Sequence, residues 1–169
     1  MIDYVGIDNG VTGSIGAVNR KGESIIFRAI PTFQQQDYTK KKKNISRIHI
    51  EGLDEILHTL NSRSLNTDLR IFIERPMVNP TRFVATGSAL RALEATLIVL
   101  EMHHLSYRFV DSKEWQKIML PHGIKGSDKL KKASYDIGKR LFPEYTKGIE
   151  KQKDADGLLI AEAARKESW

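Results

Sequence analysis

A carboxylate placed where an apolar strand runs into a glycine-rich turn constrains this chain more than any other feature. The stretch Tyr4-Val5-Gly6-Ile7-Asp8-Asn9-Gly10-Val11-Thr12-Gly13-Ser14-Ile15-Gly16-Ala17-Val18 reads as strand, turn, strand. Asp8 ends the first strand, beside Val5 and Ile7. Burying an ionised carboxylate there costs several kcal/mol unless a turn, a partner or a metal offsets it. Asp8-Asn9-Gly10 also has the composition of a simple hairpin turn, since Asn-Gly supplies positive φ. A turn and a site are both open at this point. The small residues Gly13, Ser14, Gly16 and Ala17 leave room for something to approach the second strand closely.

The rest of the chain follows in order. Strands are expected at 2–8, 13–20 and 23–30, joined by short turns into an antiparallel meander. Pro31 closes that unit. Residues 32–47 are polar, with three glutamines and the run Lys40-Lys41-Lys42-Lys43, and read as a flexible basic loop. Ile50, Leu53, Ile56, Leu57 and Leu60 have helical spacing, giving an amphipathic helix over 48–60. Asn61 to Asp68 is a polar connection. Residues 69–74 form a buried strand that again ends on a carboxylate, Glu74. Two prolines make 75–83 a loop, and a long helix spans 85–103. Residues 106–110 give a fifth strand. Asp111 and Glu114 have the spacing of a capping box for a short helix that stops before Pro121. A basic helix covers 128–141, residues 146–153 are polar and charged, and a last helix runs over 154–166. The order βββαβαβ, then helices, predicts an α/β mixed five-stranded sheet, three antiparallel strands then parallel ones, flanked by helices. No domain boundary is evident within 1–169.

Composition sharpens the functional classes. The 169 residues include no cysteine, which excludes disulfides and thiolate metal sites and fits a cytoplasmic location. No signal peptide and no membrane-spanning apolar run are expected. A net charge of +6 favours a polyanionic partner. The five histidines have no zinc-like spacing, and Trp115 and Trp169 read as core and terminus.

Three acids stand out by position: Asp8 and Glu74 at strand ends, and Asp156 in the first turn of the last helix. If the first and fourth strands are neighbours, Asp8 and Glu74 enter one crevice and Asp156 closes the set. Clustered carboxylates disfavour one another's ionised forms unless cations hold them. Hard oxygen ligands without cysteine point to Mg²⁺ or Mn²⁺. Two such ions form the usual clamp for displacement at phosphorus.

The ordered set Gly6-Ile7-Asp8-x-Gly10-x-x-Gly13, then Ile71-Phe72-Ile73-Glu74-Arg75-Pro76, then Asp154-Ala155-Asp156-Gly157-Leu158-Leu159-Ile160-Ala161 resembles the RuvC-type Holliday junction resolvases of the ribonuclease H-like superfamily. The resemblance implies a ribonuclease H-like fold and a Mg²⁺-dependent crossover junction endodeoxyribonuclease that works as a homodimer on branched DNA. It implies a phage or bacterial source, in the phage case acting in the host cytoplasm. Two Mg²⁺ per site are implied, with Mn²⁺ able to substitute. Asp8, Glu74 and Asp156 match the metal-binding acids. The family's fourth ligand commonly lies three residues before the last, which here is Lys153; the nearest acid is Asp154, either a ligand or a helix cap. The resemblance further implies catalytic lysines, matched to Lys113 and Lys132. It implies DNA contacts by Lys125, Lys129, Lys131, Lys132 and Arg82, and a wedge residue in the loop after the second acid, either Met77 or Phe83.

Other functions remain to be weighed. The same acids would serve a ribonuclease H-like nuclease acting on hybrids or on branched DNA in general. Ile7-Asp8-x-Gly10-x-Thr12-Gly13 also resembles the first phosphate loop of sugar kinases and actin-like ATPases, but the chain is short for that two-domain fold and lacks a second such loop. A non-catalytic DNA-binding module would leave three clustered acids unexplained, because carboxylates repel phosphate.

Overall fold

The computed structural model describes residues 2–37, 40, 42–63 and 68–169. Part of the run Lys40–Lys43 (residue 41), residues 38 and 39, and residues 64–67 of the polar connection lie outside the described residues. The central sheet has the strand order β3-β2-β1-β6-β7, built from β1 (Ile2–Ile7), β2 (Ser14–Asn19), β3 (Ser24–Ala29), β6 (Asp68–Glu74) and β7 (Tyr107–Val110). β1, β2 and β3 pair antiparallel, while β1–β6 and β6–β7 pair parallel. This is the mixed sheet expected from the order of elements. Helices α1 (Ile50–Ser62), α2 (Phe83–Met102), α3 (Ser112–Met119), α4 (Ser127–Leu141), α5 (Thr146–Gln152) and α6 (Asp156–Glu167) surround it.

The period-2 alternation of the strands splits the core in two. Tyr4, Val18, Phe27 and Phe72 face one side, where α3 and α6 bring Trp115, Met119, Leu158 and Leu159. Val5, Ile7, Ile15, Ile71 and Ile73 face the other, where α1 and α2 bring Leu53, Leu57, Val99 and Leu100. On α6 every residue from Gly157 to Ala164 is buried, so this helix is enclosed all round.

Four features differ from the sequence expectation. The 32–47 segment contains a two-stranded antiparallel ribbon, β4 (Thr32–Gln36) with β5 (Asn44–Ile48), rather than only loop. Its strands are mostly polar, so no apolar alternation marks them. Residues 146–152 are helical, although polar and charged, because Ile149 is buried under the sheet's α6 side. In the proline loop, Pro80–Arg82 form a 3₁₀ turn, with Asn79 as cap, and α2 starts at Phe83. Finally, Pro80–Met102 is long and apolar enough to cross a membrane by length and composition alone. Its inner residues Ala92, Thr96, Val99 and Leu100 are buried, while Phe83, Val84, Leu90, Ile98 and Met102 are exposed.

Candidate active site

The crevice forms because three parallel strands end at one level. Ile7 is in register with Ile73, so the next residues, Asp8 and Glu74, leave the sheet side by side. Glu74 is level with Val110, and the chain turns there into α3. The outside of the carboxyl ends of such strands is the usual binding edge of an α/β sheet. The turn after β1 is closed by the Asp8 N–H donating to the Ser14 carbonyl (2.9 Å). Gln152 at the end of α5 pins that turn, donating to the Thr12 and Gly13 carbonyls at 2.6 and 3.1 Å.

Across the crevice lies the start of α6. Lys153 takes a left-handed conformation (φ 71°) that ends α5, and the helical run of α6 begins at Asp156. Asp154 is therefore not part of the helix, and the separation of helical positions i and i+2 does not apply to it. One oxygen each of Asp8, Asp154 and Asp156 lie within 4.8 Å of one another. Asp154 is only 2% exposed. It accepts a long hydrogen bond from the Asp156 N–H at 3.4 Å and faces the Lys131 ammonium at 3.8 Å. Capping alone gives a weak bond for so deep a burial. The structure thus places Asp154 with the acids, with only a marginal cap.

Glu74 borders this trio and is held from the side. The Ser112 hydroxyl donates to one of its oxygens at 2.5 Å and the Trp115 indole N–H to the other at 2.9 Å. Asp156 accepts from the Ser134 hydroxyl, which in turn accepts from the Ala155 N–H (3.1 Å). The Ser14 hydroxyl accepts from the Gly157 N–H at 3.1 Å. These positioning groups carry no sequence motif. Trp115 does read as core and is buried; what the sequence hides is that its one polar atom meets Glu74. The only signal was spacing, since Ser112 and Trp115 are three apart behind the Asp111–Glu114 capping box, which the structure contains.

The electrostatics are those of crowded acids. Burial pushes Asp8 well above the ordinary carboxylate range, and repulsion from Asp156, Glu74 and Asp154 adds to it. Burial and Asp154 push Asp156 up to about 7, against the Ser134 hydrogen bond and Lys131. Glu74 is raised by burial, opposed by Ser112 and Trp115. Asp154 is raised by burial, opposed by the Asp156 N–H and Lys131. A carboxyl raised in the folded state binds more protons folded than unfolded, so its contribution is full below its unfolded pKa and is lost as pH rises through the folded one. Asp156 alone is expected to remove up to ~4 kcal/mol of metal-free stability between about pH 4 and 7, and the other raised acids add to the loss. Denaturant titration without divalent ions checks this. Asp156→Asn should flatten the profile, and Mg²⁺ should restore stability above pH 7.

The remaining sequence candidates fall in three places. Lys131 faces the acids, whereas Lys132 and Lys129 line a separate groove with Pro121, Ile124, Asp136 and Ile137. The ammonium brought to the carboxylates is thus Lys131's, one residue before the expected Lys132. Lys113 and Lys125 are exposed, Lys113 directly after the Ser112 that holds Glu74. Met77 and Arg82 line a cavity of about 260 Å³ beside Glu74, with Asn9 and Arg75. Phe83 is 81% exposed at the start of α2.

The acids fit hard divalent ions. Their donors are carboxylate oxygens, three converge, and their pKa values are raised first by burial and then by mutual repulsion that a cation would relieve. No protein-family model matches the chain, and no curated protein matches it by sequence. Its fold is shared with RuvC of Thermus thermophilus. The structure of T. thermophilus RuvC in complex with Holliday junction substrate superposes with a TM-score of 0.63 at 16% identity, covering 99% of this chain and 98% of that one. A second T. thermophilus RuvC structure gives 0.58 at 14%, covering 98% and 96%. The chain therefore has a RuvC-like, ribonuclease H-like fold over its full described length.

Proposed function

We propose that this protein is a structure-selective endonuclease that resolves four-way DNA junctions in recombination and repair. The observation that carries this reading is the convergence of Asp8, Asp154 and Asp156, with Glu74 alongside, at the carboxyl edge of a RuvC-like sheet. Asp8, Asp154, Asp156 and Glu74 would hold two Mg²⁺, or Mn²⁺ in their place, and when bound these would supply Lewis-acid chemistry for hydrolysis of a phosphodiester by water. Ser112 and Trp115 orient Glu74, and Ser134 orients Asp156. Lys113 and the lysines of α4 bind phosphates near the cut, with Lys131 nearest the acids. Met77, beside the site and 76% exposed, or Phe83 further along, wedges into the junction, with Arg82 on the backbone.

A four-way junction is two-fold symmetric and needs two symmetric nicks, which a C₂ homodimer supplies. The exposed apolar residues of α2, Val84, Leu90, Ile98 and Met102, support that helix as the dimer face. A second reading keeps the same acids in a nuclease for flaps or RNA–DNA hybrids, since selectivity lies in loops and dimer geometry. Cleavage of a synthetic four-way junction beside a flap and a hybrid separates the two. The expected result is Mg²⁺-dependent paired nicking of the junction, faster than either other substrate. A hybrid cut as fast as the junction would replace the first reading by the second.

A further inference from the structure

The ribbon β4–β5 has no part in the site described above, and its construction is unusual for a surface connection. Among the described residues it pairs only with itself, as a separate two-stranded sheet. All five residues of β4 are exposed. The ribbon is anchored through β5, which packs against α2 and buries Ile48, and this leaves the exposed strand β4 for a partner. Its chemistry names the partner's sign: between residues 32 and 48 stand Lys40, Lys41, Lys42, Lys43 and Arg47 against the single acid Asp37.

The register assigns its faces. The pairs Thr32–Ile48, Gln34–Ser46 and Gln36–Asn44 share one face, and Phe33–Arg47 and Gln35–Ile45 share the other. Beyond the buried Ile48 at its base, the first face carries uncharged hydrogen-bonding side chains, with the Gln34 amide donating to the Ser46 hydroxyl at 2.7 Å. On the second, Arg47 donates to Gln35 at 2.7 Å, and Arg47, Gln35 and Ile45 line a groove with Arg91 of α2. A groove lined by Arg47, Ile48 and Arg91 reaches Val11, in the turn that follows Asp8. The grooves beside the ribbon thus carry two arginines and extend as far as the turn that follows Asp8.

We infer that the β4–β5 ribbon grips a duplex arm of the DNA by entering its major groove. The inference rests on the nuclease reading above. Strands lie ~4.8 Å apart, and the B-form major groove, ~12 Å wide, admits a two-stranded ribbon. Lys40, Lys42, Lys43 and Arg47, all exposed, reach phosphates on its rims. Gln34, Gln36 and Asn44 present side-chain amides, the group that pairs with adenine edges. The deep, narrow major groove of A-form RNA does not admit the ribbon.

The absence of native cysteine makes the test direct. Gln34→Cys provides a single thiol, to be challenged in Ca²⁺ with a four-way junction carrying a disulfide tether on a major-groove base edge of one arm. Crosslinking is expected at position 34 and not with Glu167→Cys, which lies on an exposed helix end. The double variant Lys42→Glu, Lys43→Glu should weaken junction binding about tenfold or more and reduce the slope of log affinity against log salt by roughly two. No crosslink at position 34, or equal crosslinking to a tethered RNA duplex, overturns groove entry. Unchanged affinity and slope in the double variant overturns the phosphate contacts. If the wild-type protein binds no junction, the nuclease reading itself falls; if it binds and only the variants behave as wild type, the ribbon's role alone falls.

Discussion

Asp8→Asn is expected to lower junction cleavage by at least ~10³-fold, a loss of about 4 kcal/mol of transition-state stabilisation, while junction binding survives. Asparagine keeps the shape of the side chain and one oxygen but removes the charge that a divalent ion requires. Because Asp8 stands beside two other carboxylates, its neutral replacement also removes repulsion. The same variant should therefore unfold at a higher temperature than the wild type in EDTA at pH 8, and should gain less from added Mg²⁺. Single-turnover cleavage, binding in Ca²⁺ and thermal unfolding with and without Mg²⁺ check the three parts. Loss of cleavage with reduced stability would show that Asp8 is a structural turn residue, the alternative its Asn-Gly neighbours allow. Asp154→Asn should behave as Asp8→Asn does, since Asp154 shares the cluster; retained activity would leave it as a cap.

How much of this was legible in the sequence depends on which forces place each residue. Asp8, Glu74 and Asp156 were legible because each sits at the end of an apolar run whose period fixes its element, and register then does the rest: Ile7 opposite Ile73 puts their neighbours together. Asp154 was ambiguous, since its position depends on one left-handed residue, Lys153, that no propensity marks. Lys131 and Lys132 differ by 100° of helical rotation, and choosing between them requires the azimuth of α4 against α6, a tertiary quantity. Ser112, Ser134, Gln152 and the Trp115 indole were hidden because single hydrogen bonds between distant segments leave no periodic trace. The ribbon was hidden because its strands are polar on both faces, so the alternation that reveals half-buried strands is missing.

The small residues after Asp8 show the limit most clearly. From the sequence, the small residues around Gly16 only leave room for something to approach the strand. In the structure α6 fills it. Gly6 and Gly16 are paired across β1 and β2, on the face that meets Gly157. A methyl group at Gly16 would lie 2.4 Å from the Leu158 nitrogen, at Gly6 2.3 Å from the Gly157 carbonyl oxygen, and at Gly157 2.7 Å from the Ser14 carbonyl oxygen. All three are contacts with backbone, which cannot swing aside as a side chain can. Gly16→Ala is thus expected to cost about 3 kcal/mol or more, near the top of the range for overpacking, and to lower the unfolding midpoint by roughly 6–12 °C. Gly87→Ala is the matched control. It lies in α2 with only the Arg91 guanidinium near, at 3.7 Å, and should stabilise by about 0.5–1 kcal/mol through helix propensity. The effect of Gly16→Ala should extend to chemistry, because the part of α6 it displaces begins one residue after Asp156. At a temperature where the variant is still folded, its Mg²⁺ affinity should fall while junction binding by the distant ribbon persists. Equal stability of Gly16→Ala and Gly87→Ala would mean that α6 does not rest on the sheet at these glycines, and that the carboxylates are not brought together by this packing.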